Sequence, residues 1–294
     1  MRAATHSGGF HADDVFAIAV LRLVHPELEV VRTRDPEVQA AADYRVDVGG
    51  RDDPEAGDFD HHQRGGAGER ANGIRYASFG LVWRHFGPQL CGSDEVAEAI
   101  DQRIVAGVDA NDTGQEIIEL LVEDVRPMAI SGVVAGFNPV WDEELDDAGR
   151  DARFADAVAF AQGILERELR GAAAWQRARS LVHDAIGRAD DPRVVELDSN
   201  MPWREPLVTA APEAQFVVYP KSDGWALHAV PKELGSFDNR LDLPDAWGGL
   251  SGPALVEETS VPDAIFAHPA RFYASAESRE GVYALARLAM DSSG

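Results

Sequence analysis

Between residues 12 and 25, ADDVFAIAVLRLVH places Val15, Phe16, Ala19, Val20 and Leu23 three and four positions apart, and Pro26 closes the run. That spacing predicts a helix. The flanking segments read differently. RAATH (2–6) is a short apolar strand candidate, LEVVRTRD (28–35) is the next, and YRVDVGG (44–50) is a buried-type strand ending in glycines. DPEVQAA (35–41) starts a second helix. Strand–helix–strand–helix–strand order predicts an α/β fold with a doubly wound, mainly parallel sheet. Open sheets of this kind place ligands beyond the carboxyl ends of their strands.

Further along, YASFGLVWRHFG (76–87) and SDEVAEAIDQRIVAGVD (93–109) predict helices, with Ser93 as an N-cap. A long helical stretch covers residues 151–189, and RADDPR (188–193) reads as a linker. Beyond it the pattern shifts to short strands, VVELD, QFVVYP and WALHAVP. The glycine-rich WGGLSG (247–252) follows, then a closing helix from Glu280 to Met290. The expected organisation is therefore a first domain over 1–189 and a smaller α+β domain over 190–294.

Composition narrows the surroundings more than the chemistry. The 294 residues carry a formal net charge of −24, and Lys221 and Lys232 are the only lysines. Such a surface repels long nucleic acid unless metal ions or a local arginine cluster oppose it. A single cysteine, Cys91, excludes an internal disulfide framework. The first residues have no apolar core of signal-peptide length, and no long apolar run suits a membrane span. The expectation is a cytoplasmic, soluble protein that does not enter membranes; an oligomer is compatible with the sequence.

The chemistry concentrates at the ends of the first-domain strands: His6, His11 and Asp13, then Asp47, then Asp60, His61 and His62 in DFDHHQR, then Asp109 and Asp112 in VDANDTG. Singly, each has an ordinary structural explanation, such as a turn at DVGG or an Asx turn at DTG. Together they form a histidine–aspartate set suited to Mn²⁺, Fe²⁺, Co²⁺ or Zn²⁺. Four contributing segments are more than one ion needs and suit two metals that share a carboxylate. Such a pair clamps the attacking and leaving oxygens of an in-line displacement and generates hydroxide near neutral pH. His61 and His62 would point to opposite faces of a strand, which argues against a shared role.

In order and spacing these motifs resemble the DHH phosphoesterase superfamily, which includes RecJ-type exonucleases, nanoRNases and family II inorganic pyrophosphatases. Within it, THSGGFHADD, VRTRDP, VDVGG, DFDHHQR and VDANDTG resemble the branch of the melanocyte proliferating gene exonuclease. The likeness continues through VPKELGSFDNRLDLPDAWGGL (230–250) and SREGVYALA (278–286). It implies a dinuclear site, usually manganese, held by His6, His11, Asp13, Asp47, His61 and Asp112, with Asp47 bridging and Asp109 as a competitor of Asp112. It also implies that His62 faces the scissile phosphate while Asp60 orients His61. Where many members have Asp in the first motif this chain has His11, which shifts the site away from pure Mg²⁺ use.

The resemblance also implies that the second domain caps the site and that WGGLSG is its phosphate-binding loop. The backbone N–H groups of Gly248 and Gly249 would take a phosphate, with Lys232 and Arg240 nearby and Arg64 and Arg75 flanking a mobile loop of the first domain. The leading expectation is a metal-dependent phosphodiesterase, a 3′–5′ exonuclease acting on ends of single-stranded RNA or short oligonucleotides. A phosphohydrolase of a small phosphoanhydride or phosphoester is the alternative, and a non-enzymatic metal-binding partner protein the third. The protein-hydrolase label sometimes given to this branch has no support, since no HExxH is present.

Overall fold

The computed structural model describes residues 1–122 and 124–292. The chain is mixed α/β and divides into two compact units, Met1–Ala173 and Ala174–Gly294.

The first unit contains β1 (Arg2–Thr5), α1 (Ala12–Val24), β2 (Glu29–Arg32), α2 (Pro36–Ala40), β3 (Tyr44–Val46), β4 (Asp52–Asp53) and β5 (Asp58–Phe59). They are followed by α3 (Ser78–Cys91), α4 (Asp94–Ile100), α5 (Ala106–Asp112), α6 (Ile130–Ala135) and α7 (Asp147–Arg188), within which the unit boundary falls. The sheet order is β2-β1-β3-β5-β4. β1 pairs in parallel with β2 and β3, β3 pairs in parallel with β5, and β4 is antiparallel to β5. Every residue of α1 from Ala12 to Leu21 is buried. A helix enclosed on all sides needs apolar residues all round, which FAIAVL supplies.

Register aligns the ends of the parallel strands. Ala4 lies opposite Arg45, and Arg45 opposite Asp58. Two residues further on come His6, Asp47 and Asp60, which keep the same parity and so leave the sheet side by side. Asp47 has a left-handed φ of 57° and is followed by Gly49 and Gly50, also at positive φ. An L-residue held there is strained, and Asp tolerates it better than most.

Three elements differ from the sequence reading. The helix expected over 93–109 starts as predicted, with Ser93 Oγ accepting from the Val96 N–H at 3.4 Å. It then widens into a π turn at Asp101–Val105 before α5 runs on to Asp112. The helix expected to stop at Gly87 continues through Pro88 to Cys91 and ends on Gly92, whose φ of 67° suits a glycine C-cap. The β4–β5 ladder is two residues long on each side, too short for any periodic signal.

The second unit adds β6 (Val194–Glu196), α8 (Arg204–Ala210), β7 (Phe216–Lys221), β8 (Gly224–Ala229), α9 (Pro253–Thr259), β9 (Ala264–Ala267), β10 (Tyr273–Ala276) and α10 (Arg279–Asp291). Its sheet order is β6-β7-β8-β10-β9, with β6 and β7 parallel and the other pairs antiparallel. β7 shows why it is buried on both faces. Phe216 and Val218 join the core that α10 covers with Val282 and Leu285. Val217 and Tyr219 join a second core with Val182 of α7 and Leu207 of α8. Among the described residues no helix is long and apolar enough to cross a membrane.

Candidate metal centre

Each polar group at the strand ends of the first unit is held by its own element. His6 follows β1, Asp47 follows β3, the Asp60–His62 run follows β5, Asp13 lies in the first turn of α1 and Asp112 ends α5. The structure brings them together. His61 Nε2 lies 3.2 Å from Asp47 Oδ1, 3.2 Å from Asp112 Oδ2 and 3.8 Å from Asp13 Oδ2. His6 Nε2 is 3.3 Å from Asp47 Oδ2, and His11 Nδ1 is 3.7 Å from Asp112 Oδ1. His62 Nδ1 is 3.4 Å from Asp47 Oδ1.

His61 and His62 therefore converge, against the expectation of opposite faces. β5 ends at Phe59, so neither histidine belongs to a strand, and their ring centroids are 4.3 Å apart. Asp60 also differs from its expected task. Its Oδ1 lies 2.8 Å from Nδ1 of His62 and accepts the His62 backbone N–H at 3.1 Å, while Oδ2 accepts from the Gly50 N–H at 2.6 Å. The carboxylate thus orients His62 rather than His61.

Two residues that sequence reasoning passed over complete the cluster. Asp14 is fully buried, accepts the His11 backbone N–H at 2.9 Å and lies 3.4 Å from His6 Nε2. It occupies the third position of the helix after the His11 N-cap, where an acidic side chain reaching back is a known signature. Ser78, at the start of α3, donates its hydroxyl to Asp47 Oδ1 at 3.1 Å and its N–H to Asp13 Oδ2 at 3.3 Å. Nothing in the sequence around Ser78 marks it.

Electrostatics shows what this assembly lacks. Burial, with the negative charges of Asp47 and Asp112, drives the Asp13 carboxyl well above its ordinary range. Burial likewise pushes Asp14 up to about 7, against the pull of His6. Burial opposes ionisation of Asp47 too, but hydrogen bonding from His6 and His61 and the charge of His62 hold it well below the usual carboxylate range. The hydrogen bond with Asp47 raises His6; at His61 burial lowers the pKa, and the bond with Asp47 together with the charges of Asp47, Asp112 and Asp60 outweighs it. Asp13 Oδ1 and Asp14 Oδ2 are buried with no hydrogen-bond partner. Buried acceptors in this condition are costly unless a cation satisfies them. Among the described residues three groups have ligand atoms close enough to hold a metal: His6–His11–Asp47, Asp47–His61–His62 and His11–Asp13–Asp112. The residues present therefore fit a divalent cation.

Asp109 lies outside this set. It pairs with Arg70 at 2.8 Å, accepts from the Gly80 N–H at 3.0 Å, and is pushed up to about 7 by burial despite Arg70. Arg70 also bonds Asp101 at the start of the π turn. Asp112, in contrast, reaches both His11 and His61.

The other expected contacts are less uniform. Arg75 is exposed and borders a cavity of about 310 Å³ that also includes His61, Gly65, Gly66, Tyr76 and Thr113. Arg64 and Lys232 are exposed. Arg240 donates to the carbonyls of Ala211, Ala214 and Val208, so its guanidinium is engaged at the end of α8. The N–H groups of Gly248 and Gly249 were expected to be open to a phosphate. They instead bond the carbonyls of Asp245 and Ala267, because the loop is wound into a turn and laid against β9.

The fold and this cluster define an α/β protein with a histidine–aspartate centre able to hold metal. A family model matches residues 2–290, that of MYG1_exonuc, described as an uncharacterised protein family (UPF0160), and the chain belongs to that family. The MYG1 exonuclease of Mus musculus is 34% identical over 98% of this chain and 84% of its own length. A MYG1 protein of Saccharomyces cerevisiae is 33% identical over 97% and 94%. A MYG1 protein of Chlamydia trachomatis is 33% identical over 94% and 92%.

Proposed function

We propose that this chain is a nuclease-type hydrolase, a metal-dependent phosphodiesterase that removes nucleotides from the ends of single-stranded RNA or short oligonucleotides in the 3′–5′ direction. The observation that carries this reading is the set of three His/Asp groups, linked because Asp47 and His11 each belong to two of them, together with the buried Asp13 Oδ1 left without a partner. The exonuclease name of the mouse relative supports it. His6, His11, Asp13, Asp47, His61 and Asp112 would hold two divalent cations, with Asp47 between them. Such ions, Mn²⁺ by preference for this donor set, would supply positive charge to the oxygens of the displacement and acidify a water.

The remaining residues position substrate and protons. The His62 side chain is 62% exposed, and Asp60 fixes its Nδ1. Nε2 is then the nitrogen left to exchange a proton with the phosphate or its leaving oxygen. The cavity beside His61 suits one nucleotide, with Arg75 placed for a phosphate. Its small size and the net charge of −24 favour a chain end over the interior of a duplex. The same two observations support the second reading, hydrolysis of a small phosphoanhydride.

The test is metal analysis of the purified protein, followed by turnover of 5′-labelled single-stranded RNA, a dinucleotide and pyrophosphate with Mn²⁺. Hydrolysis of RNA and dinucleotide supports the first reading. Hydrolysis of pyrophosphate alone moves the assignment to the second, and a metal-free protein inert on all three overturns both.

A further inference from the structure

Between α5 and α6 the chain forms neither helix nor strand among its described residues, yet large apolar side chains recur along it. Ile117, Ile118, Leu121, Val122, Val125 and Met128 are each more than half exposed, Leu121 at 92% and Met128 at 78%. Single exposed apolar residues are ordinary; a run of them is not, and it marks an interaction surface. The same segment borders a trough of about 1050 Å³, whose apolar lining includes Ile104, Ile117, Ile118, Leu120 and Ile130.

We propose that this face is a two-fold interface with a second copy of this chain. Shape comes first. Protruding side chains and a trough lie on one segment, so a copy turned by two-fold symmetry offers its own Leu121 and Met128 to the trough and receives the same in return. Charge comes second. The trough is bordered by Arg103 and Arg126 and by Glu116 and Glu119, so it complements itself. An anionic membrane or nucleic acid would need a basic field, which this face does not offer and the chain's charge of −24 opposes. Area comes third. The six side chains expose on the order of 700 Å², close to what one partner contributes to a stable interface. The interface lies just past Asp112, which ends α5, so a second copy would brace the segment leaving the metal centre.

Sedimentation velocity of the full metal-loaded chain over a wide concentration range tests this. The expected result is a species of twice the chain mass. Leu121→Glu combined with Met128→Glu should raise the dimer dissociation constant by about 100-fold or more. Phe237→Glu, at an equally exposed apolar residue of the second unit, should leave it unchanged. Circular dichroism and metal content that match wild type establish that the double variant is folded. A wild-type chain that stays monomeric at every concentration overturns the proposal, whether or not it binds vesicles or another protein. So does a folded double variant that dimerises as wild type does.

Discussion

His61 and His62 turn their imidazoles toward the same oxygen of Asp47, at 3.2 and 3.4 Å. They differ in everything else. His61 is nearly enclosed and surrounded by carboxylates, whereas His62 is exposed and tied to Asp60. On the proposed function, one neighbour would hold metal and the other would meet substrate. Asp47→Ala should remove at least one metal and abolish turnover. His62→Ala should keep the metal content and lower kcat by about 10²–10⁴-fold, the usual weight of a general acid or base. Metal analysis and initial rates on the same preparations check both; a His62→Ala protein with wild-type kcat contradicts the division.

Arg70 joins Asp101 and Asp109 in the interior of the first unit. Removing the cation strands two acidic groups in the interior, so Arg70→Leu should cost about 3–5 kcal/mol. Adding Asp109→Asn should recover part of it. Gly80 is needed for the same cluster, because a Cβ there would lie 1.9 Å from Asp109 Oδ2. Gly80→Ala should destabilise by about 2–3 kcal/mol. Urea midpoints at neutral pH measure all three, and an unchanged midpoint for Gly80→Ala would show that the cluster relaxes freely.

In the second unit, His228 stacks on Tyr219 and packs against Trp203 and Tyr273. Burial, aided by the charge of Arg204, lowers its pKa to about 4 from an ordinary 6.5. The folded form then binds its proton less readily than the unfolded chain. Its neutral ring costs nothing above pH 6.5, and stability falls as pH drops from 6.5 to about 4, where the loss levels off. Allowing for the ring's partial exposure, the loss is on the order of 2 kcal/mol. His228→Phe should flatten that part of the stability–pH curve relative to wild type. Parallel curves from denaturant titrations would refute the assignment.

The sequence showed the centre best where side chains follow strand ends. His6, Asp47 and Asp60 stand in register because β1, β3 and β5 are parallel, and the order of the predicted strands implies that convergence for His6 and Asp47. It showed least where geometry departs from a repeating pattern. β5 is too short for alternation to extend to His61 and His62. The π turn that precedes α5 leaves no mark in helical spacing. Asp14 stands beside Asp13 with no motif to single it out, although its cap position predicts a side chain folded back toward His11. In WGGLSG, composition announces a turn but does not tell which N–H groups the turn itself will consume.

The central claim is that the cluster around Asp47 cleaves phosphodiesters from a chain end. A time course on 5′-labelled single-stranded RNA with Mn²⁺, beside a circular RNA of the same sequence, tests it most directly. The expected result is a ladder that shortens one nucleotide at a time from the 3′ end, an intact circle, and no ladder from Asp47→Ala. Cleavage of the circle, or an unchanged ladder from Asp47→Ala, would contradict it.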